Sequence, residues 1–142
     1  MNFKNSIITT AIITCFFAAP GYASDDLNGA KKVAEKFIQL VDKNQAEELK
    51  AIMHPDMLQY TNLDGKLIPF KGTDFIQMVA DKKLGGEPRK ISHKSADVIR
   101  GSSAYVVVNA VSAEYDFMYH LSMAKQEENW VIVGILVDIV KA

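Results

Sequence analysis

The last third of the chain is a succession of strand-like segments with no helical segment between them. Val, Ile, Tyr and Phe dominate the four segments 91–99, 104–114, 117–125 and 130–140. The first pair and the last pair are each separated by only a short polar break, whereas parallel strands need a crossover of a dozen or more residues. The pattern therefore predicts antiparallel hairpins, and it constrains the fold more than any other feature of the sequence.

The two strand segments 104–114 and 130–140 are apolar on both faces. Strict alternation would place one set of side chains on a single face, namely Val131, Val133, Ile135, Val137 and Ile139. The other face is nearly as apolar, whereas a one-sided antiparallel sheet alternates apolar with polar residues. Helices cover only one face, so we expect the other to self-associate, most simply as a two-fold homodimer. The alternative is tighter coiling that hides both faces within one chain.

The helical patterns lie before these strands. Apolar side chains recur at helical spacing from Ala30 to Val41, and shorter helical patterns surround Leu49 and Ile76. Asn44 and Glu47 have the spacing of a capping box at the start of the second helix. Two short strands at 57–62 and 66–70 flank an Asp-Gly turn. Helices segregated from an antiparallel sheet predict an α+β fold.

Long strands twist and coil rather than lie flat. We therefore expect a cone, with the N-terminal helices packed on a strongly curved mixed or antiparallel sheet. The mouth of such a cone is a natural ligand pocket.

The N-terminus has the pattern of a secretory signal. Lys4 precedes an almost wholly apolar run from Ile7 to Ala19, and small residues then allow cleavage after Ala23. We expect 1–23 to be removed and the protein to be periplasmic or secreted. The alternatives are a retained anchor and lipidation at Cys15.

The remaining residues, 24–142, have the length of a single domain. Removing Lys4 leaves 15 of the 16 basic side chains against 17 acidic ones, a net charge of −2. This balance points neither to nucleic acid nor, once the signal is removed, to a membrane. Cys15 is the only cysteine and lies in the signal, which excludes a thiolate zinc site.

Five short stretches together resemble a known group of proteins. They are Met53-His54-Pro55-Asp56-Met57, Asp64-Gly65-Lys66, Asp74-Phe75-Ile76, Tyr119-His120-Leu121-Ser122-Met123 and Asn129-Trp130-Val131-Ile132-Val133. With the order of elements, they make residues 27–140 similar to the nuclear transport factor 2-like superfamily, which includes the SnoaL-like proteins. The nearer resemblance is to the family described as putative lumazine-binding. It implies a cone-shaped, cystatin-like α+β fold.

The candidate ligand-binding residues are Phe37, Tyr60, Phe75, Met118 and His120. His120 is the single catalytic candidate, because an imidazole titrates near neutral pH and lies here within a strand. Its other interpretations are a hydrogen-bonded structural histidine or a metal ligand. Tyr60 either donates to a bound carbonyl or closes the core. Asp138 and Glu114 are possible buried carboxylates near strand ends.

The sequence contains no Gly-rich phosphate loop and no histidine pair at metal-ligand spacing on one element, so we expect neither cofactor nor metal. His93 is expected at the surface. Three functions remain open. The first is an exported domain that binds a small apolar or aromatic molecule without catalysis. The second is a SnoaL- or ketosteroid-isomerase-style enzyme that uses His120 as acid and base. The third is an adaptor that binds another protein through its apolar sheet face.

Overall fold

The computed structural model describes residues 21–142. The predicted signal segment lies outside the described residues except for its last three, with which the first helix begins. Three helices and six strands follow one another in the order α1 Gly21–Asp42, α2 Ala46–Ile52, β1 Met53–Leu63, β2 Lys66–Lys71, α3 Gly72–Ala80, β3 Lys90–Ile99, β4 Ser103–Val111, β5 Tyr115–Gln126 and β6 Asn129–Lys141.

The strands form one mixed sheet in the order β2-β1-β6-β5-β4-β3. The four long strands β3 to β6 pair antiparallel with one another in chain order, as their short connections predict. The closing strand β6 then pairs parallel with β1, which joins the N-terminal hairpin to the long meander. The predicted α+β fold class is therefore confirmed.

All three helices lie on one face of the sheet, which we call the inner face. The long helix α1 lies against β3, β4 and β6, while α2 and α3 lie against β1. Apolar side chains from both layers form the core there, and Phe37, Leu49, Leu121 and Ile132 are fully buried in it. We call the opposite face of the sheet the outer face.

The strict alternation predicted for the last strand is wrong. The β5–β6 register shifts where Ser122 pairs with Gly134 while Met123 pairs with Ile132, so β6 carries an extra residue at Val133. Such a bulge changes which side chains face the core. Trp130 and Ile132 are buried before it, and Ile135 and Val137 are buried after it.

The predicted capping box at the start of α2 is also wrong. Gln45, not Asn44, is the N-cap, and it makes no side-chain capping bond. Asn44 has a left-handed backbone, with φ 54°, and its side-chain amide instead donates to the carbonyl oxygens of Leu84 (2.7 Å) and Val79 (3.2 Å). The hydrogen bonds of Asn44 therefore link the segment after α3 to the end of α1.

The expectation for His93 is wrong as well. Its strand register pairs it with Val108 on the inner face, and its Nε2 lies 2.7 Å from a carboxylate oxygen of Glu35 on α1. The imidazole thus links the edge strand β3 to the long helix. The first short strand is longer than predicted, since β1 begins at Met53.

Two glycines with nearly identical positive φ angles allow a matched test of this packing. Gly85 (φ +77°) and Gly65 (φ +79°) both adopt a conformation that costs an L residue about 1–2 kcal/mol. A Cβ on Gly85 would lie 1.9 Å from the carbonyl oxygen of Val41, whereas a Cβ on Gly65 meets nothing within 4 Å. We predict that Gly85→Ala lowers the free energy of unfolding by about 1–3 kcal/mol more than Gly65→Ala does. Equal losses in urea denaturation would contradict the close approach of the two segments.

Candidate functional site

A cavity of about 430 Å³ opens between the inner face of the sheet and the segment that follows α3. Its walls come from β1, β2, α3, β5 and β6, and from Val41 near the end of α1. Aromatic rings dominate the lining, and they are those of Phe70, Phe75, Tyr115, Phe117 and Tyr119. A concave, mainly apolar cavity with a few polar groups is the usual form of a small-molecule site.

The polar end of the cavity is built on a buried ion pair. Arg89 follows the glycine-containing segment, and its Nε donates to Oδ1 of Asp42 at 2.6 Å. The backbone N–H of Arg89 donates to the other carboxylate oxygen at 3.0 Å. The two side chains are only 6% and 8% exposed, so water screens this pair little. Asp42 is the last residue of α1, and the pair therefore holds the cavity wall against that helix.

Tyr119 extends this pair onto the sheet. The Nη1 of Arg89 donates to the phenol oxygen at 2.7 Å, and the guanidinium lies 4.7 Å from the centre of the Phe117 ring. Burial raises the pKa of Tyr119, and the charge of Arg89 offsets this only in part. Burial acts to lower the pKa of Arg89, but Tyr119 and Asp42 outweigh it and leave that pKa raised. At neutral pH the arginine is thus charged and the phenol is neutral.

Two buried polar atoms of the lining residues have no hydrogen-bond partner among the described residues. They are Nη2 of Arg89 and Oε1 of Gln59. Gln59 is 4% exposed, and its Nε2 donates weakly to Thr61 at 3.4 Å. An unsatisfied buried polar group costs about 1–3 kcal/mol. The wall of the cavity thus contains one unsatisfied donor and one unsatisfied acceptor, and neither atom is accessible to solvent.

The mouth of the cavity carries two exposed carboxylates, those of Glu87 and Glu114. Glu114 lies in the β4–β5 connection and is exposed, so of the two possible buried carboxylates this one is solvated. Arg89 is the one basic residue of the lining, and it is already paired with Asp42.

His120 lies on the outer face, away from this cavity. Its register row across the sheet contains Tyr60, Leu136 and Val107. Its Nδ1 lies 2.6 Å from the hydroxyl of Tyr105, and its Nε2 lies 3.5 Å from a carboxylate oxygen of Asp138. His120 and Tyr105 line an open groove, and five large side chains of this groove are 39–48% exposed, namely Leu58, Tyr60, Tyr105, Val133 and Leu136.

The five predicted ligand-binding residues therefore do not share one cavity. Phe75 lines the inner cavity, while Phe37 lies in the core behind it and contacts both Phe75 and Tyr119. Tyr60 and His120 line the outer groove, and Met118 lies on the same outer face, paired with Asp138. Their parts in binding remain predictions.

Sequence reasoning did not find Arg89, Asp42 or Gln59. Arg89 stands in a loop-like stretch beside Gly85-Gly86-Glu87-Pro88, where a solvated arginine is the ordinary expectation. The one available signal was the alternation Gln59-Tyr60-Thr61, which places two polar side chains on one face of a strand. Among residues 21–142 the His, Asp and Glu side chains form no group of three able to hold a metal ion.

Comparison with known proteins gives the family. Residues 25–135 match the sequence profile of the putative lumazine-binding family. The chain belongs to that family. No curated protein matches the chain. In the part of the chain that the structure describes, no helix has both the length and the apolar character needed to span a membrane.

Solved structures related to this family member show the fold. An NTF-2-like protein of unknown function from Silicibacter pomeroyi superposes with a TM-score of 0.72 at 19% identity, covering 82% of this chain and 98% of the other. An NTF2-like protein of unknown function from Shewanella baltica superposes with a TM-score of 0.73 at 13% identity, covering 84% of this chain and 97% of the other. A cystatin-like fold protein from Burkholderia xenovorans superposes with a TM-score of 0.67 at 14% identity, covering 83% of this chain and 94% of the other. The predicted resemblance to the nuclear transport factor 2-like superfamily is confirmed.

The raised pKa of Tyr119 generates a pH prediction. As pH rises through about 10, the ordinary pKa of a tyrosine, the unfolded chain releases this proton while the folded chain retains it. The unfolded state then binds fewer protons, so the free energy of unfolding falls with rising pH. We predict that Tyr119→Phe is about 1–3 kcal/mol less stable at neutral pH, because Nη1 of Arg89 loses its acceptor. Its stability then falls less steeply above pH 10.

The measurement is urea denaturation from pH 7 to pH 11. Tyr60→Phe is the control, since that ring is 39% exposed on the outer face, and its slope should match the wild type. An unchanged alkaline slope in Tyr119→Phe would contradict the burial of this phenol.

Proposed function

We propose that this protein is an exported domain that binds a small apolar or aromatic molecule in the inner cavity without catalysing its conversion. The observation that carries the proposal is the cavity itself, which combines aromatic walls with the buried Arg89–Asp42 pair. Its volume of about 430 Å³ lies within the range of ligand pockets. The family description supports this class, because lumazine is a flat heteroaromatic molecule.

The polar groups of the inner cavity favour binding over catalysis. Asp42, behind the lining residue Arg89, already accepts two hydrogen bonds from it, and the two carboxylates of the lining are exposed at the mouth. A general base needs a free group within hydrogen-bond reach of its substrate. The alternative, a SnoaL- or isomerase-style enzyme, would place its acid–base at His120 in the outer groove. The observation in its favour is that Tyr105 and Asp138 flank the imidazole.

Native mass spectrometry of the protein purified from its own host tests the proposal. We expect a co-purifying small molecule and a chain mass reduced by the loss of residues 1–23. Ile68 and Leu67 offer matched variants on β2, because Ile68 lines the cavity while Leu67 is 57% exposed on the other face. We predict that Ile68→Trp fills the cavity and lowers ligand occupancy at least about tenfold, whereas Leu67→Trp leaves it unchanged. Equal occupancy in the two variants would place the ligand elsewhere.

We also propose that the outer face joins two copies of the chain. Large apolar side chains are exposed along it, namely Leu58, Tyr60, Tyr105, Val133, Leu136 and Val140. The carboxylate of Asp138 has partners within its own chain, since Asn62 donates to it at 2.9 Å and Nε2 of His120 lies 3.5 Å from it. Two identical faces can therefore meet about a two-fold axis while each carboxylate keeps its hydrogen bond.

Light scattering with size-exclusion chromatography tests the homodimer. We predict that Leu136→Asp is a monomer at micromolar concentration, because a carboxylate at the centre of an apolar interface would be desolvated. Ala51→Asp, exposed on α2, is the control and should remain dimeric. A monomeric wild type would instead favour an adaptor that offers this face to another protein.

A further inference from the structure

A polar side chain lies among the exposed apolar residues of the outer face, so a partner that covers them must bury it too. Asp138 stands on β6 between Leu136 and Val140, and the pleat of a strand places all three on one face. Leu136 and Val140 are 39% and 55% exposed, and the side chain of Asp138 is 41% exposed. A second copy that covers the two apolar side chains therefore also removes Asp138 from water.

Asp138 belongs to a polar network that spans four adjacent strands. The hydroxyl of Tyr105 on β4 lies 2.6 Å from Nδ1 of His120 on β5. Nε2 of His120 lies 3.5 Å from Oδ2 of Asp138, and Nδ2 of Asn62 on β1 donates to Oδ1 at 2.9 Å. An asparagine carries no charge, so within this network only His120 can supply a cation beside the carboxylate.

This network can hold His120 in either charge state without moving a heavy atom. A neutral imidazole has one N–H and one acceptor nitrogen, and the nitrogen that faces a carboxylate is favoured as the N–H. Nδ1 then accepts from the Tyr105 hydroxyl. On protonation Nδ1 also carries a hydrogen, and the hydroxyl rotates to accept it. Protonation thus changes the charge of the network and leaves its geometry in place.

The other charges of the outer face do not take over this role. Strand register and the groove lining place the remaining charged and phenolic side chains of this face, among the described residues, at Asp56, Tyr60, Lys71, Lys90, Asp97 and Asp116. The two lysines lie on the edge strands β2 and β3, and Asp116 accepts a hydrogen bond from Asn109. The centre of the face therefore has no cation beside its carboxylates unless His120 is protonated.

The charge of His120 thus affects how readily the outer face is covered. Burying a carboxylate is far more costly in free energy when no opposite charge lies beside it. In a two-fold dimer this cost arises twice, and the two copies of Asp138 also repel each other. Protonation of His120 places a cation 3.5 Å from each carboxylate before the two faces meet.

We propose that the homodimer takes up protons as it forms and that His120 is the group that binds them. The proposal rests on the proposed homodimer and adds its control by pH. Association through the outer face is then strongest below about pH 6, where an imidazole is ordinarily protonated, and it weakens as the pH rises towards about 8. His120 is in this account a regulator of the interface and not a catalytic acid–base.

The dissociation constant of the dimer tests the direction of this effect. Sedimentation velocity of the wild-type protein over a dilution series measures that constant at pH 5.5 and at pH 8, in buffers of equal ionic strength because salt screens charge. We expect the dimer to dissociate at least about tenfold more readily at pH 8, since the associated state binds more protons. A constant that is unchanged or smaller at pH 8 overturns the inference.

Two variants identify the titrating group. His120→Gln keeps hydrogen-bonding atoms but cannot be protonated in this range, so its dissociation constant should be the same at both pH values. Asp138→Asn removes the carboxylate, so a protonated His120 would be buried without an opposite charge. Its dimer should therefore be weaker at pH 5.5 than at pH 8. A merely structural role of either residue would not reverse the sign of the pH dependence.

The other two histidines provide matched controls. His93 lies on the inner face beside Glu35, and Nδ1 of His54 accepts from the backbone N–H of Asp56 at the edge of the outer groove. His93→Gln and His54→Gln should both retain the pH dependence of the wild type. If either control loses it, or if His120→Gln retains it, then His120 is not the group that binds the protons and the inference is wrong.

The homodimer and its control by protons fail differently. A wild-type protein that is monomeric at both pH values removes the homodimer, and the inference fails with it. A dimer of equal strength at both values removes only the inference. A dimer at pH 5.5 that dissociates at pH 8 supports both.

Discussion

The buried pair of Arg89 and Asp42 links the parts of this fold that the sheet alone does not hold together. It joins the end of α1 to the segment after α3, and through Tyr119 it reaches the middle of the sheet. A buried arginine is tolerated only if it is paired, because removing an uncompensated charge from water is very costly in free energy. Asp42 meets this requirement at a helix C-terminus, where a carboxylate is otherwise unfavourable.

The same pair explains why the cavity exists beside a well-packed core. Phe37 and its buried neighbours fill the space between the helices and the inner face. The space beside Arg89 is left open and forms the cavity. The segment carrying Arg89 is held from three sides, by Asp42, by the amide of Asn44 and by the contact of Gly85 with Val41. A wall fixed by hydrogen bonds and an ion pair cannot collapse onto the aromatic rings as an apolar loop would. The cavity is therefore a consequence of these hydrogen bonds and of the ion pair, and its polar end is the part of the lining that holds the charged Arg89.

The candidate site was only partly predictable from the sequence. Phe75 was found because it lies at helical spacing on an amphipathic helix, and such a helix must turn that face inward. His120 was singled out for its chemistry, but its face depended on the register of β5, which sequence patterning could not fix when both faces are apolar. Arg89 was missed because nothing local distinguishes a buried arginine from a solvated one. Its partner Asp42 is 47 residues away along the chain.

The amino-acid sequence by itself determined the four-stranded antiparallel meander, the helical segments and the fold class, because hydrophobic periodicity and short turns are local properties. It also carried the family resemblance. The tertiary structure decided the parallel pairing of β1 with β6 and the bulge at Val133 in the last strand. It also decided the meeting of Arg89, Tyr119 and Gln59 around one cavity and the pairing of Arg89 with Asp42. Those features depend on contacts between residues far apart in the chain. The free energy of these contacts comes from burial and from pairing, and neither produces a periodic pattern in the sequence.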